Sequence, residues 1–237
     1  MYEIADIRFY REELRDLAVA WLALSVAFTF FLEGDFIRGQ PIYAPDIGAL
    51  VRVFLLSTAT VGAGFLLHEL AHKVVAVQFG QIAAFRAKYD MLAITVASGV
   101  AGFLFAAPGA VYHRGAITAR QNGLVAVAGP VTNLVLAAVF LIPFVLGGGF
   151  VAEVGQMGVL INIFLAAFNM VPAGPLDGKT VAQWHKGVFA AVFGVSLLSL
   201  VGFVVGFIFC AAIPALVQSR QHRQAVGFCL RPPVSRA

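Results

Sequence analysis

The sequence predicts an all-α polytopic membrane protein, with about five to six transmembrane helices and a re-entrant or hairpin segment near residues 91–111. Three observations predict it. Only 12% of the 237 residues are charged and 60% are hydrophobic, whereas soluble domains carry about 25% charged residues. Apolar runs long enough to cross lipid occupy most of the chain, and the mean hydropathy is +0.90. The sixteen Lys and Arg lie mostly between or beside those runs, as orientation by positive loops requires. Because the spans use up nearly all the sequence, residues 1–237 read as a single membrane-embedded domain. Its core covers about 50–187, and residues 188–237 form a C-terminal span and tail.

Run one extends from about Leu17 to Leu32 and could start at Leu14. It ends in Phe-Phe-Leu-Glu without small residues at a cleavage site, so it reads as a retained first span rather than a signal peptide. A loop with Gly34, Gly39, Pro41, Pro45 and Gly48 follows. Run two, about Val53 to Val77, is span-length yet holds His68, Glu69, His72 and Lys73. Gly99, Gly102, Pro108 and Gly109 break run three, about Met91 to Val111, and an irregular segment persists in lipid only against protein or water. Runs four (about Leu124 to Leu146) and five (about Val151 to Val171) are joined by Gly147-Gly148-Gly149. Run six, about Val188 to Val217, is long for one span.

The net charge of +4 and pI near 9.3 are accounted for by topology, so nucleic acid is not an expected partner. Cys210 and Cys229 form neither a metal pair by spacing nor a disulfide framework. The sequence carries no signal for oligomeric state.

Chemistry concentrates in His68-Glu69-Leu70-Ala71-His72, an HExxH pattern. Residues four apart share a helical face, so the two imidazoles can reach one zinc, and Glu69 is placed to take a proton from a metal-activated water. The alternative is a pair of hydrogen-bonded core histidines beside a snorkelling lysine. An ionisable side chain at mid-membrane costs about 2.5–3.5 kcal/mol, and a shared metal compensates several at once. Catalytic zinc takes three protein ligands. By elimination among the few acidic and imidazole side chains, the third is Asp177, in Pro172-Ala173-Gly174-Pro175-Leu176-Asp177-Gly178 just beyond run five. The alternative for Asp177 is a helix N-cap. Asn169 could hold a substrate backbone or an oxyanion, or make an interhelical hydrogen bond. Asn133, in Ala128-Gly129-Pro130-Val131-Thr132-Asn133, reads first as a polar contact between closely packed helices and is kept as a candidate substrate-binding residue. His113 and His185 are read as solvated, with substitution as ligands the alternative. Gly62 and Gly64 read as close-packing positions.

The chain resembles the site-2 protease family of intramembrane zinc metalloproteases in its compact form. HELAH at 68–72, AGPVTN at 128–133 and NMVPAGPLDG at 169–178 carry the resemblance, and it extends more weakly over nearly the whole chain. It implies one Zn2+ held by His68, His72 and Asp177, Glu69 as catalytic acid/base, and Asn169 assisting at the scissile carbonyl. It also implies substrates that are membrane proteins cut in or beside a transmembrane helix. The PDZ and CBS modules of some relatives find no space here.

A shared metal requires His68, His72 and Asp177 at one depth, so runs two and five end on the metal side and run three begins and ends there. The N-terminus and segments 80–90, 112–122 and 172–187 hold nine Lys or Arg, against Arg38 alone in 33–50 and 147–150, which makes the metal side cytoplasmic in a multi-pass cell-membrane protein. Arg220, Arg223, Arg231 and Arg236 then require either a helical hairpin in run six or an exceptional tail. The expected function is intramembrane proteolysis. Its alternatives are a non-proteolytic metal-binding or transport protein, an inactive transmembrane-helix binder, and another HExxH membrane protease with a downstream glutamate ligand, for which only Glu153 is present. Zinc is inferred from donor types that cobalt and iron also accept.

Overall fold

A computed structural model describes residues 2–4, 7–33, 47–105 and 108–217. Arg38 and the arginine-bearing tail lie outside the described residues. Strands β1 (Tyr2–Ile4) and β2 (Ile7–Phe9) form an antiparallel hairpin ahead of helix α1 (Arg11–Leu32). Helix α2 (Ile47–Gln78) follows, then β3 (Ile82–Ala87), α3 (Tyr89–Ala101), β4 (Gly109–Arg114), α4 (Ala119–Leu146), α5 (Phe150–Asn169), α6 (Asp177–Trp184) and α7 (Lys186–Val217).

Helices α1, α2, α4, α5 and α7 are long and apolar enough to cross a membrane. This is a helical, polytopic membrane protein. Helix α4 begins where the chain supplies a cap. Thr118 accepts from the backbone of Gln121 while Gln121 Oε1 accepts from the Thr118 N–H at 2.9 Å, a reciprocal box that starts α4. Helix α2 contains a π turn at Thr58–Gly62, where the indole N–H of Trp21 donates to Thr58 O at 3.1 Å. Gly62 is a close-packing position, since a Cβ there would lie 1.9 Å from that indole.

Run three is one short helix and a returning strand. Strands β3 and β4 pair antiparallel from Ile82↔Arg114 to Ala87↔Gly109, so the chain between them leaves and re-enters at the same place. The 13 residues of α3 span about 20 Å, short of a hydrocarbon core of about 30 Å. The excursion does not cross. The strands themselves were unexpected, because 80–90 and 112–122 read as loops. Run six is one helix through Val217 and not a hairpin.

The main core lies where α1, α2, β3, α3 and α5 meet. Leu17, Leu24 and Phe28 pack with Val61, Phe65, Phe85, Leu92 and Ile161. At the far end of α2 from the histidines, Arg52 pairs with Glu153 near the start of α5 at 2.5 Å. The beginnings of α2 and α5 therefore share one end of the bundle, and their chemistry-bearing ends share the other.

Candidate metal centre

His68 and His72 project from one face of α2 and are both buried. Helix α4 crosses that face at its small-residue patch. A Cβ on Gly129 would lie 2.5 Å from His68 Cε1 and from His72 Nε2, so only glycine leaves the rings their place. Pro172, Gly174 and Pro175 end α5 and turn the chain back, and α6 starts at Asp177 beneath the rings.

Three donor atoms converge. His68 Nε2 and His72 Nε2 are 3.0 Å apart, and each is 3.3 Å from Asp177 Oδ2. Two donors each about 2.0–2.1 Å from a tetrahedral zinc are about 3.3 Å apart, so the triangle has the size the ion requires. The far side of each ring agrees. His68 Nδ1 lies 2.6 Å from Asn133 Oδ1 and His72 Nδ1 lies 2.7 Å from Val125 O. Both partners are acceptors, so both Nδ1 atoms carry the proton and both Nε2 lone pairs face the carboxylate. Three acceptors facing one another fit a cation. Burial raises the Asp177 carboxyl, but positive charge and donors placed at the two Nε2 positions, where a cation would otherwise act, outweigh it and lower the group to about 2. Asp177 is thus a carboxylate at neutral pH, the form that binds a metal. It stands in the first turn of α6, with Leu176 as the N-cap residue.

Glu69 is buried next to the triangle, and its Oε2 has no hydrogen-bond partner among the described residues. A buried orphaned carboxylate oxygen beside three metal donors has an unfilled partner position, which a reacting molecule can take.

Other expected residues fall elsewhere. Asn133 is fully buried, with its Oδ1 on His68 and its Nδ2 on Gly64 O at 3.2 Å and Asn162 Oδ1 at 2.9 Å. Its place is behind His68, where it makes the interhelical contact that the sequence suggests first. Asn169 ends α5 and donates to Leu165 O of its own helix at 3.0 Å, not to another helix. His113 pairs within the β3–β4 ladder, and the exposed His185 accepts from Val188 N at 3.2 Å. Neither joins the donor cluster. Lys73 does not snorkel. It is buried on both oxygens of Glu13 at 2.6 Å, and also donates to Arg8 O at 2.7 Å. Asn162, fully buried in α5, was missed by the sequence reading.

Fold and site define a class: a helical membrane protein in which two buried histidines of the long α2 meet Asp177 of α6 in a candidate metal site, with a glutamate of α2 alongside. "Putative zinc metalloprotease MJ0611" of Methanocaldococcus jannaschii is 36% identical over 206 residues, covering 85% of this chain and 97% of that protein. "Putative zinc metalloprotease YwhC" of Bacillus subtilis is 32% identical over 146 residues, 52% of this chain and 66% of that protein. No family model matches the chain, and no solved structure matches it. The chain belongs to the zinc metalloprotease family of the Methanocaldococcus jannaschii relative, and its five long apolar helices make it a membrane member.

Proposed function

We propose that this protein is an intramembrane zinc metalloprotease of the site-2 protease type, hydrolysing peptide bonds in or beside transmembrane helices of other membrane proteins. One observation carries the reading: the His68, His72 and Asp177 donors form a zinc-sized triangle beside the orphaned Glu69 oxygen, with both histidines and Glu69 on a helix long and apolar enough to span a bilayer. His68, His72 and Asp177 hold the metal. Zinc supplies Lewis-acid polarisation of the scissile carbonyl and acidification of water.

Glu69 accepts a proton from the attacking water and passes it to the departing amide nitrogen as the C–N bond breaks. The products are a new carboxylate and a free amine. Asn169, at the mouth of the Pro172–Gly178 turn, is assigned to the carbonyl of the substrate. A transmembrane helix hides its carbonyls in its own hydrogen bonds, so the substrate segment unwinds before it is cut. The nine cationic residues at the N-terminus and in segments 80–90, 112–122 and 172–187 support a cytoplasmic-side centre.

The test is purified wild type and Glu69→Gln in detergent with tagged transmembrane peptides. The wild type is expected to cut them in a chelator-sensitive manner and the variant to leave them whole. Full proteolysis by Glu69→Gln would rule out the assigned role. Stoichiometric zinc without cleavage of any transmembrane peptide would favour a non-proteolytic metal protein or an inactive helix binder.

A further inference from the structure

The two ligating histidines have the same place in the motif but are held differently. His72 leans on a backbone carbonyl, Val125 O. His68 leans on a side chain, Asn133, and that side chain leans on another. Asn162 Nδ2 donates to Gly158 O at 2.8 Å, and Asn162 Oδ1 accepts from Asn133 Nδ2 at 2.9 Å. Asn133 Nδ2 also donates to Gly64 O at 3.2 Å, and both amides have 0% exposure.

The direction of this chain is forced. A backbone carbonyl only accepts, so the amide nitrogen of Asn162 must face Gly158 O and its oxygen must face Asn133. Gly64 O and Asn162 Oδ1 are likewise acceptors, so they take the nitrogen of Asn133. Its oxygen is left against His68 Nδ1. That oxygen admits only a protonated Nδ1, which frees the Nε2 lone pair toward His72 and Asp177. Two backbone carbonyls, one in α5 and one in α2, thereby dictate the tautomer of a ring on α2 through amides from α4 and α5.

We propose that Asn133 and Asn162 are positioning residues, a relay that fixes the tautomer and orientation of His68 for the metal. This rests on the metal-centre reading above. Gly64 serves the same relay, because a Cβ there would come within 2.9 Å of Asn162 Oδ1. A bare packing role, the common use of amides between membrane helices, requires no acceptor at Asn133 Oδ1. The relay requires one.

Asn133→Leu, Asn133→Asp and Asn162→Ala in the full chain separate the two roles. Each is purified in detergent and measured for zinc affinity by chelator competition and for the visible spectrum of the cobalt-substituted form. Asn133→Leu is expected to weaken zinc binding about 10–100-fold and to alter the cobalt spectrum. Asn133→Asp, as the neutral acid, keeps an acceptor against His68 and a donor toward Asn162 Oδ1, and is expected to bind at least about tenfold tighter than Asn133→Leu. In Asn162→Ala, Asn133 keeps its bond to Gly64, and a smaller loss of about threefold to tenfold follows; this variant decides the matter if Asn133→Leu does not fold. Wild-type affinity and spectrum in Asn133→Leu, or equal losses in Asn133→Leu and Asn133→Asp, would overturn the relay. A wild type that binds zinc but cuts no substrate sinks the protease reading alone, whereas a wild type that binds no zinc sinks both.

Discussion

Neighbouring faces of α2 bury ionisable groups within five residues of one another, and they do so in opposite ways. On one face Lys73 is closed off completely: Glu13, the Arg8 carbonyl and the Phe9 ring at 3.9 Å take its ammonium, while Glu13 also accepts from Phe85 N at 3.1 Å. On the other, His68 and His72 turn acceptor atoms toward each other and toward Asp177 of α6, while Glu69, one turn from Lys73, keeps an unpartnered oxygen. The first set is complete and ties the N-terminal hairpin, α1 and β3 to α2. The second is open, and on the proposed function a cation and a reacting molecule complete it. Within one helix, the difference between satisfied and unsatisfied burial separates scaffold from chemistry.

The comparison breaks most visibly at Glu69. Glu69→Gln is expected to lower peptide hydrolysis by about 10²–10⁴-fold, the usual weight of general acid–base catalysis. Zinc content and the unfolding midpoint stay at wild-type values; a loss of metal instead would make Glu69 part of the binding site. On the closed face, Lys73→Met leaves Glu13 buried and charged. Denaturant unfolding in detergent should show a loss of about 3–5 kcal/mol, part of it recovered in Glu13→Leu with Lys73→Met, where Phe85 N loses its acceptor. A double variant no more stable than the single one would contradict a purely scaffolding pair.

Gly129→Ala sharpens the contrast from the open side. The added methyl meets both rings, and overpacking of about 1–3 kcal/mol should appear as a loss of roughly fivefold to 150-fold in zinc affinity by chelator competition. Unchanged affinity would mean that α4 can retreat from the rings. The smallest effect belongs to Arg52→Ala. Its ion pair with Glu153 is partly exposed, with side chains 45% and 37% accessible, and such pairs contribute about 0–1 kcal/mol. A larger destabilisation would show that the end of the bundle opposite the metal matters more than its exposure suggests.

The spans and the donor set were legible because each rests on local information. Apolar runs declare membrane helices, HExxH places two rings on one face, and a Pro- and Gly-broken turn marks the return of Asp177. The closed face was not legible. Glu13 and Lys73 stand 60 residues apart, and nothing near Lys73 in sequence distinguishes a paired lysine from a snorkelling one. Asn162 was hidden for the same reason, as a lone amide in an apolar run whose partner sits 29 residues earlier. The strands β3 and β4 were obscured by their neighbours. Gly109–Arg114 begins within the apolar run ending at Val111, and short strands show only through the register that pairs them.

The most direct measurement is zinc K-edge X-ray absorption on the purified protein, with metal content determined on the same sample. The buried His68 and His72 with the half-buried Asp177 predict one zinc per chain, with two imidazole nitrogens and oxygen donors at about 2.0–2.2 Å, and loss of that site in Asp177→Ala. Zinc that is substoichiometric, or that keeps the same coordination shell in Asp177→Ala, would contradict it.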